Sequence, residues 1–175
     1  MTAPASLLGA ALLLGGCFVT QSTYNSMLQQ QQTLEAALRS EISADQVQIE
    51  QLKDGIRVRM ASALLYREGA VDLSPKGIAA LDKVAPQMAA DTYEIDVVGN
   101  TDNVPIGPEL ADKYPTNWEL ASARAAIVVR HLQADSVDPS RMRAISAGQY
   151  HPVASNDTPE GRAQNRRTEI LLRPR

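Results

Sequence analysis

Two residues of opposite charge, Asp102 and Arg124, are the candidates for chemistry in this chain. Asp102 opens a polar loop, and Arg124 lies about two turns into the helix that follows, from which it can point back at the loop. A carboxylate binds an ammonium group and a guanidinium binds a carboxylate, so the two could hold a zwitterion. The alternative is a structural ion pair that closes the loop. On residue types alone, the structural pair is the more common arrangement.

A strand, a loop and a helix must position these two residues. Tyr93 to Val98 alternates in the manner of a strand, and Gly99 is expected to end it. The loop from Asn100 to Pro115 is polar and interrupted by glycine and proline. Thr116 and Glu119 form a predicted capping box. The helix should bury Trp118, Ala121, Ala125, Val128 and Leu132, and place Asn117, Leu120 and Arg124 on a neighbouring stripe.

The remaining segments predict an α+β fold, an α/β sandwich. A strand begins at Gly55, a helix opens at Ser74 and Pro75, and further strands cover Met142 to Ala147 and Thr168 to Leu172. A short helix opens at Thr158 and Pro159. The order β-α-β-α-β-(α)-β predicts a small mixed sheet with the long helices on one face. In the first of these helices, Pro86 is expected to cause a kink or an early end, and the residues expected to be buried are Ile78, Leu81, Ala85 and Met88.

The amino-terminal segment has the character of a secretion signal. Residues 1–16 form an uncharged apolar run, and Leu14-Gly15-Gly16-Cys17 resembles a bacterial lipobox. That resemblance implies a signal peptide over residues 1–16, cleavage before Cys17 and acylation of Cys17 as a membrane anchor. The segment lacks the usual Lys or Arg, so an uncleaved helix through Val19 is the alternative. Phe18 after the cysteine favours the outer membrane.

Residues 17–54 are interpreted as the lipid anchor and a helical, coiled-coil-like spacer, and residues 55–175 as the folded domain. The spacer is rich in glutamine and has no proline or glycine before Gly55. A helical tether of about thirty residues would reach roughly 45 Å. Its apolar seam is Leu38, Ile42, Ile49 and Leu52, with Asp45 interrupting it, so self-association and binding to an envelope complex both stay open.

Composition excludes several functional classes. A net charge of -3, a pI near 5.4, and one Trp, five Tyr and one Phe argue against nucleic-acid binding. The two histidines, His131 and His151, lack metal-ligand spacing, and one cysteine cannot form a metal cluster. No phosphate-loop, dinucleotide or serine-nucleophile motif is present. We therefore expect no enzyme activity, no cofactor and no metal.

Three motifs in order resemble the OmpA-like peptidoglycan-binding domain over about residues 55–173. They are Gly99-Asn100-Thr101-Asp102, then Asn117, Leu120, Ser122, Arg124 and Ala125, then Gly161 to Arg167. The resemblance implies that Asp102 and Arg124 grip the diaminopimelate of the peptidoglycan stem peptide. It also implies that Thr101, Asn117, Leu120 and Ala121 belong to the site, and that Asn165 and Arg166 brace the sheet and loop. Two departures are Asn100, where the family usually has histidine, and extra residues between Val104 and Tyr114.

These features together predict a non-enzymatic outer-membrane lipoprotein whose periplasmic domain tethers the membrane to peptidoglycan. The longer loop resembles that of the flagellar stator subunit MotB and its lipoprotein relatives. A stator subunit would need a spanning helix with a carboxylate, and residues 1–22 contain no Asp or Glu. Two more functional classes stay open: a wall hydrolase, and an accessory protein of an envelope or secretion complex.

Overall fold

The computed structural model describes residues 20–175, so the predicted signal segment and Cys17 lie outside the described residues. Five strands form one sheet: β1 Val47–Leu52, β2 Gly55–Ala61, β3 Glu94–Asn100, β4 Met142–Gly148 and β5 Arg167–Arg173. The helices of this region are α1 Gln21–Ala37, α2 Arg39–Ser43, α3 Ser62–Leu65, α4 Pro75–Ala90, α5 Pro108–Ala111, α6 Asn117–Ala134 and α7 Pro159–Asn165. A 3-10 turn covers Pro139–Arg141.

The strands lie in the order β1-β2-β5-β3-β4. Neighbouring strands are antiparallel except for β3 and β4, which are parallel. The carboxy-terminal strand therefore lies in the middle of the sheet, and the predicted α+β class with a mixed sheet is confirmed.

The hydrophobic core lies on one face of the sheet, beneath α1, α4 and α6. Ile56, Val58 and Met60 of β2 point into it and are fully buried. The intervening Arg57 and Arg59 point to the other face, where both arginines lie 3.5 Å from the carboxylate of Glu169. One face is thus apolar and covered by helices, whereas the other carries cross-strand ion pairs.

The expected helical spacer through residue 54 is wrong in its second half. Helical structure ends at Ser43, and Val47–Leu52 is a strand that forms a hairpin with β2. Its alternating apolar residues and the following Asp54-Gly55 pair are strand and turn signals that the helix interpretation overlooked.

Helix α1 is also not an extended tether over its described length. Met27, Leu34 and Leu38 are at most 1% exposed and belong to the core, and Gln30 Nε2 donates to Asp91 at 2.9 Å. The sheet and core therefore begin before residue 55. Within residues 20–175, no helix combines the length and apolar character needed to cross a membrane.

Three local expectations also need correction. Helix α4 runs through Pro86 to Ala90, and Pro86 lies on its exposed side. Ile78 and Trp118 are 39% and 44% exposed, so neither belongs to a buried helix face. Strand β3 does not end at Gly99 but includes it and continues to Asn100.

Candidate functional site

A surface pocket of about 270 Å³ lies where the loop after β3 meets the first turns of α6 and the end of α7. It brings together one acidic and two basic side chains above an apolar wall. Its lining residues are Thr101, Asp102, Val104, Pro105, Ile106, Gly107, Leu110, Asn117, Leu120, Arg124 and Arg166.

The end of β3 positions Asp102. The pairing of β3 with β4 shifts by one residue at Asn100, which lies opposite Gly148, and Thr101 N donates to Gly148 O at 2.9 Å. Such an irregularity redirects the chain at the end of a strand. The Asp102 side chain is 9% exposed. Its Oδ1 accepts from Val104 N at 3.1 Å, and its Oδ2 from Arg166 Nη1 at 2.6 Å.

Helix α6 positions Arg124, which is half-buried above the ring of Tyr66. The guanidinium carbon lies 4.9 Å from the Tyr66 ring centroid, and Nη2 donates to Ala70 O at 3.1 Å. Nε is buried without a hydrogen-bond partner among the described residues. Burial lowers the pKa of Arg124 against an opposing effect of Tyr66, while Arg166 lowers it further and Asp102 raises it.

Contacts of its hydroxyl group hold Tyr66 in place. Its hydroxyl donates to Arg124 O at 3.2 Å and lies 2.7 Å from Thr168 Oγ1. Burial raises the pKa of Tyr66 to about 12, although the Thr168 hydrogen bond and the Arg124 charge both oppose the shift. Tyr66 is therefore a neutral aromatic support for the arginine at any physiological pH.

Close contact between β3 and α6 fixes the distance across the pocket. A Cβ built on Gly99 would lie 2.2 Å from Ala121 O, so only glycine allows the helix to approach the strand this closely. At the start of α6, Asn117 Nδ2 donates to Val104 O at 3.1 Å and to Gln149 Oε1 at 2.8 Å. Asn117 therefore joins the loops that follow β3 and β4. The predicted capping box of Thr116 and Glu119 is confirmed.

The carboxy-terminal motif supports the site from the other side. Asn165 is fully buried: its Oδ1 accepts from Val153 N at 2.8 Å and Ala154 N at 3.0 Å, and its Nδ2 donates to Asn156 Oδ1 at 2.8 Å. These hydrogen bonds tie the loop before α7 to the end of that helix. Arg166, the next residue, holds Asp102 and also lines the pocket with a side chain that is 44% exposed.

The structure brings most of the predicted site residues to one place. Thr101, Asp102, Asn117, Leu120 and Arg124 all line the pocket. Ala121, however, is fully buried and packs against β3, because it lies on the core-facing side of α6.

The structural ion pair between Asp102 and Arg124 is not formed: among the described residues, Asp102 pairs with Arg166 instead. Sequence analysis missed Tyr66 and Ala70 as partners of Arg124. Ala70 acts through its carbonyl, for which no sequence signal exists, and the contact of Tyr66 spans 58 residues.

His131 joins two helices of the core layer. Its Nε2 lies 2.8 Å from Asp82 Oδ1 on α4 and 3.3 Å from Asp135 Oδ2 at the end of α6. The three side chains have metal-ligating types. Since both acids contact the same ring nitrogen, the arrangement is that of a histidine held between two helices.

A mixed sheet with helices on one face, carrying oppositely charged side chains in an open pocket, defines a small binding domain of the α+β class. The chain belongs to the OmpA family, whose model matches residues 65–166.

Three similar proteins extend this assignment. The chain is 44% identical over 101 residues to "Outer membrane protein A" of Bordetella avium, covering 57% of this chain and 48% of that protein. It is 35% identical over 143 residues to "Probable lipoprotein YiaD" of Escherichia coli, covering 80% of this chain and 61% of that one. The solved cell wall anchor of the T6SS from Pseudomonas aeruginosa is 31% identical, with a TM-score of 0.73, covering 81% of this chain and 97% of that chain. The chain thus spans about half to three fifths of these two curated relatives.

Proposed function

We propose that this domain binds peptidoglycan without catalysis, by holding the diaminopimelate residue of the stem peptide. The observation that carries the proposal is that Asp102 and Arg124 line one open pocket without pairing with each other. The end of a diaminopimelate side chain carries an ammonium and a carboxylate on one carbon. A pocket with an acid and a separate arginine is complementary to both groups.

Asp102 keeps capacity for the ammonium. A carboxylate has about four lone-pair positions, and Asp102 uses one on each oxygen, for Val104 and Arg166. An ammonium can therefore bind without displacing Arg166. Because the Asp102 side chain is only 9% exposed, a hydrogen bond between its carboxylate and the ligand ammonium is shielded from water.

Arg124 keeps capacity for the carboxylate. Among the described residues its side chain makes one hydrogen bond, to Ala70 O, and its ring contact with Tyr66 fixes the plane of the guanidinium. Arg166 adds a second guanidinium beside Asp102, which leaves the pocket with an excess of positive charge. The excess favours ligands that bring a carboxylate.

The relatives support wall binding as the role of this fold. The Pseudomonas aeruginosa protein is described as a cell wall anchor, and it aligns over 81% of this chain.

We further infer that acylated Cys17 anchors the protein in the outer membrane, so that the domain tethers membrane to wall from the periplasm. The sequence around Cys17 and the name of the Escherichia coli relative support the lipid anchor, and the name of the Bordetella avium relative supports the outer membrane. Mass spectrometry of the mature amino terminus tests it, because an unmodified Cys17 would exclude the lipid anchor.

A second candidate function is favoured by the similarity to the solved cell wall anchor of the T6SS from Pseudomonas aeruginosa. An accessory subunit of a secretion or envelope complex that uses the wall as its footing needs the same pocket and the same anchor. Purification from cells under mild detergent would separate the two roles, since an accessory subunit co-purifies with a defined complex and a simple tether does not.

Retention of the full chain on purified sacculi tests the wall-binding proposal. Wild-type protein should sediment with sacculi and be released by a stem peptide that contains diaminopimelate but not by the corresponding lysine stem peptide, whose side chain ends in an ammonium without a carboxylate. Asp102→Asn should lose retention because the ammonium loses its counter-charge. Asp112→Asn is the matched control, since Asp112 is an exposed acid of the same loop outside the pocket lining. Equal retention of wild type and Asp102→Asn would refute the site.

A further inference from the structure

Two exposed aromatic residues, Trp118 and Tyr150, stack on each other beside the pocket; we refer to them as the aromatic pair. Their ring centroids are 5.1 Å apart with an interplanar angle of 27°. Trp118 is 44% exposed and Tyr150 is 60% exposed. Large apolar side chains grouped on a surface commonly mark a binding site, whereas isolated ones do not.

The backbone holds the aromatic pair in place. Gly148 has φ +54, and a Cβ built on it would lie 3.3 Å from the Trp118 ring and 3.6 Å from the Tyr150 ring. Ser146 Oγ donates to Trp118 O at 2.9 Å, which ties the first turn of α6 to β4. The rings are therefore fixed against the turn after β4 and present a preformed apolar surface.

The segments that carry the aromatic pair adjoin the pocket. Asn117, which lines the pocket, directly precedes Trp118, and Gln149 directly precedes Tyr150. The hydrogen bond of 2.8 Å between Asn117 Nδ2 and Gln149 Oε1 joins the two segments at this point. A ligand that extends from the pocket past Asn117 therefore approaches the two segments that carry the aromatic rings.

We propose that the aromatic pair is a sugar subsite that stacks against an N-acetylated pyranose of the glycan strand. The inference rests on the proposed function, because the stem peptide in the pocket is covalently attached to that strand. A pyranose presents a face of C–H bonds with partial positive charge, which complements the electron-rich face of an aromatic ring. Gln149 and Ser146 lie alongside and can bond to hydroxyl or acetamido groups.

Calorimetric titration of the full chain with three ligands tests the subsite: stem peptide alone, the same peptide on its disaccharide, and the free disaccharide. The disaccharide-peptide should bind wild type about three- to tenfold more tightly than the peptide alone, the range for one aromatic contact. Trp118→Ala and Tyr150→Ala should reduce this advantage to less than about twofold and leave the affinity for the peptide alone unchanged. Tyr24→Ala is the control, because Tyr24 is a 46% exposed aromatic on α1.

Fluorescence gives an independent measurement, because Trp118 is the only tryptophan in the chain. The free disaccharide should change its emission at millimolar concentration even where it binds weakly. An unchanged emission, or an equal advantage of the disaccharide-peptide in wild type and both variants, would overturn the subsite. Emission that changes with protein concentration alone would show that a second copy covers the rings, which also overturns it. Failure of wild type to bind the stem peptide would instead refute the proposed function.

Discussion

Replacing Arg124 by alanine should remove the ability of the domain to distinguish diaminopimelate from lysine. The two stem peptides differ only by the side-chain carboxylate that we assign to Arg124. A hydrogen bond to a charged group contributes about 1.5–3 kcal/mol, which corresponds to about a 10- to 150-fold difference in Kd. Wild type should show this preference for the diaminopimelate peptide, and Arg124→Ala should bind the two peptides within about threefold of each other.

The same substitution should have little effect on folding. It removes the contact with the Tyr66 ring and one hydrogen bond to Ala70, each worth about 1 kcal/mol. It also relieves the burial of a charge and its repulsion by Arg166, the two causes that lower the pKa of Arg124. We therefore expect the free energy of unfolding in urea to change by about 1 kcal/mol or less.

Calorimetric titration with both peptides gives the four affinities of a double-mutant cycle. Arg130→Ala is the control, since Arg130 is an exposed arginine of the same helix. If Arg124→Ala weakens binding of both peptides but keeps the wild-type ratio between them, Arg124 does not contact the carboxylate. The assignment of roles within the pocket would then be refuted.

Two further predictions concern the residues that position Arg124. Gly99→Ala should destabilise the domain by about 1–3 kcal/mol in urea denaturation, because its Cβ would meet Ala121 O at 2.2 Å. It should also weaken binding of the stem peptide, because α6 carries Arg124. The buried Tyr66 should cause a loss of stability at high pH. Because its pKa is raised to about 12 in the folded state, the folded state resists ionisation, and the free energy of unfolding falls as pH rises from about 10 to 12. Tyr66→Phe should flatten this part of the pH profile, measured by urea denaturation from pH 9 to 12.

Each of these predictions has a control. Gly107→Ala should change the free energy of unfolding by less than about 0.5 kcal/mol, since nothing lies within 4 Å of a Cβ built there. Similar losses for both glycine variants would contradict the close-contact argument. Tyr24→Phe should keep the wild-type pH profile, because Tyr24 is exposed. An equally steep alkaline loss in Tyr66→Phe would assign that loss to other groups.

Local sequence patterns were sufficient wherever neighbouring residues decide the structure. The capping box of Thr116 and Glu119 and the cap of Ser74 with Pro75 depend on contacts within a single turn, and both helices begin there. The spacing of Asn117, Leu120 and Arg124 places them on one stripe of α6, and all three line the pocket. Strand and helix signals also gave the order of the elements, and residue types gave the candidate pair, whereas resemblance to the OmpA family supplied the ligand expected to bind between them.

Predictions from local sequence patterns were wrong where tertiary packing outweighed the local preference. The segment before Gly55 carries an interrupted helical seam as well as a strand alternation. Pairing with β2 decided in favour of the strand, because the hairpin buries Val47 against the core. Trp118 satisfied the spacing of a buried helix face, but the turn after β4 holds it at the surface with Tyr150.

For Asp102 and Arg124, too, part of the chemistry follows from the sequence and part only from the tertiary structure. By itself, the sequence determined which two charged residues could act together, since their types and their places in a strand–loop–helix unit are local properties. Only the tertiary structure decided that Asp102 pairs with Arg166 and that Arg124 rests on Tyr66 with donors to spare. Those partners lie 64 and 58 residues away along the chain, so no local pattern encodes the contacts that keep the pocket open.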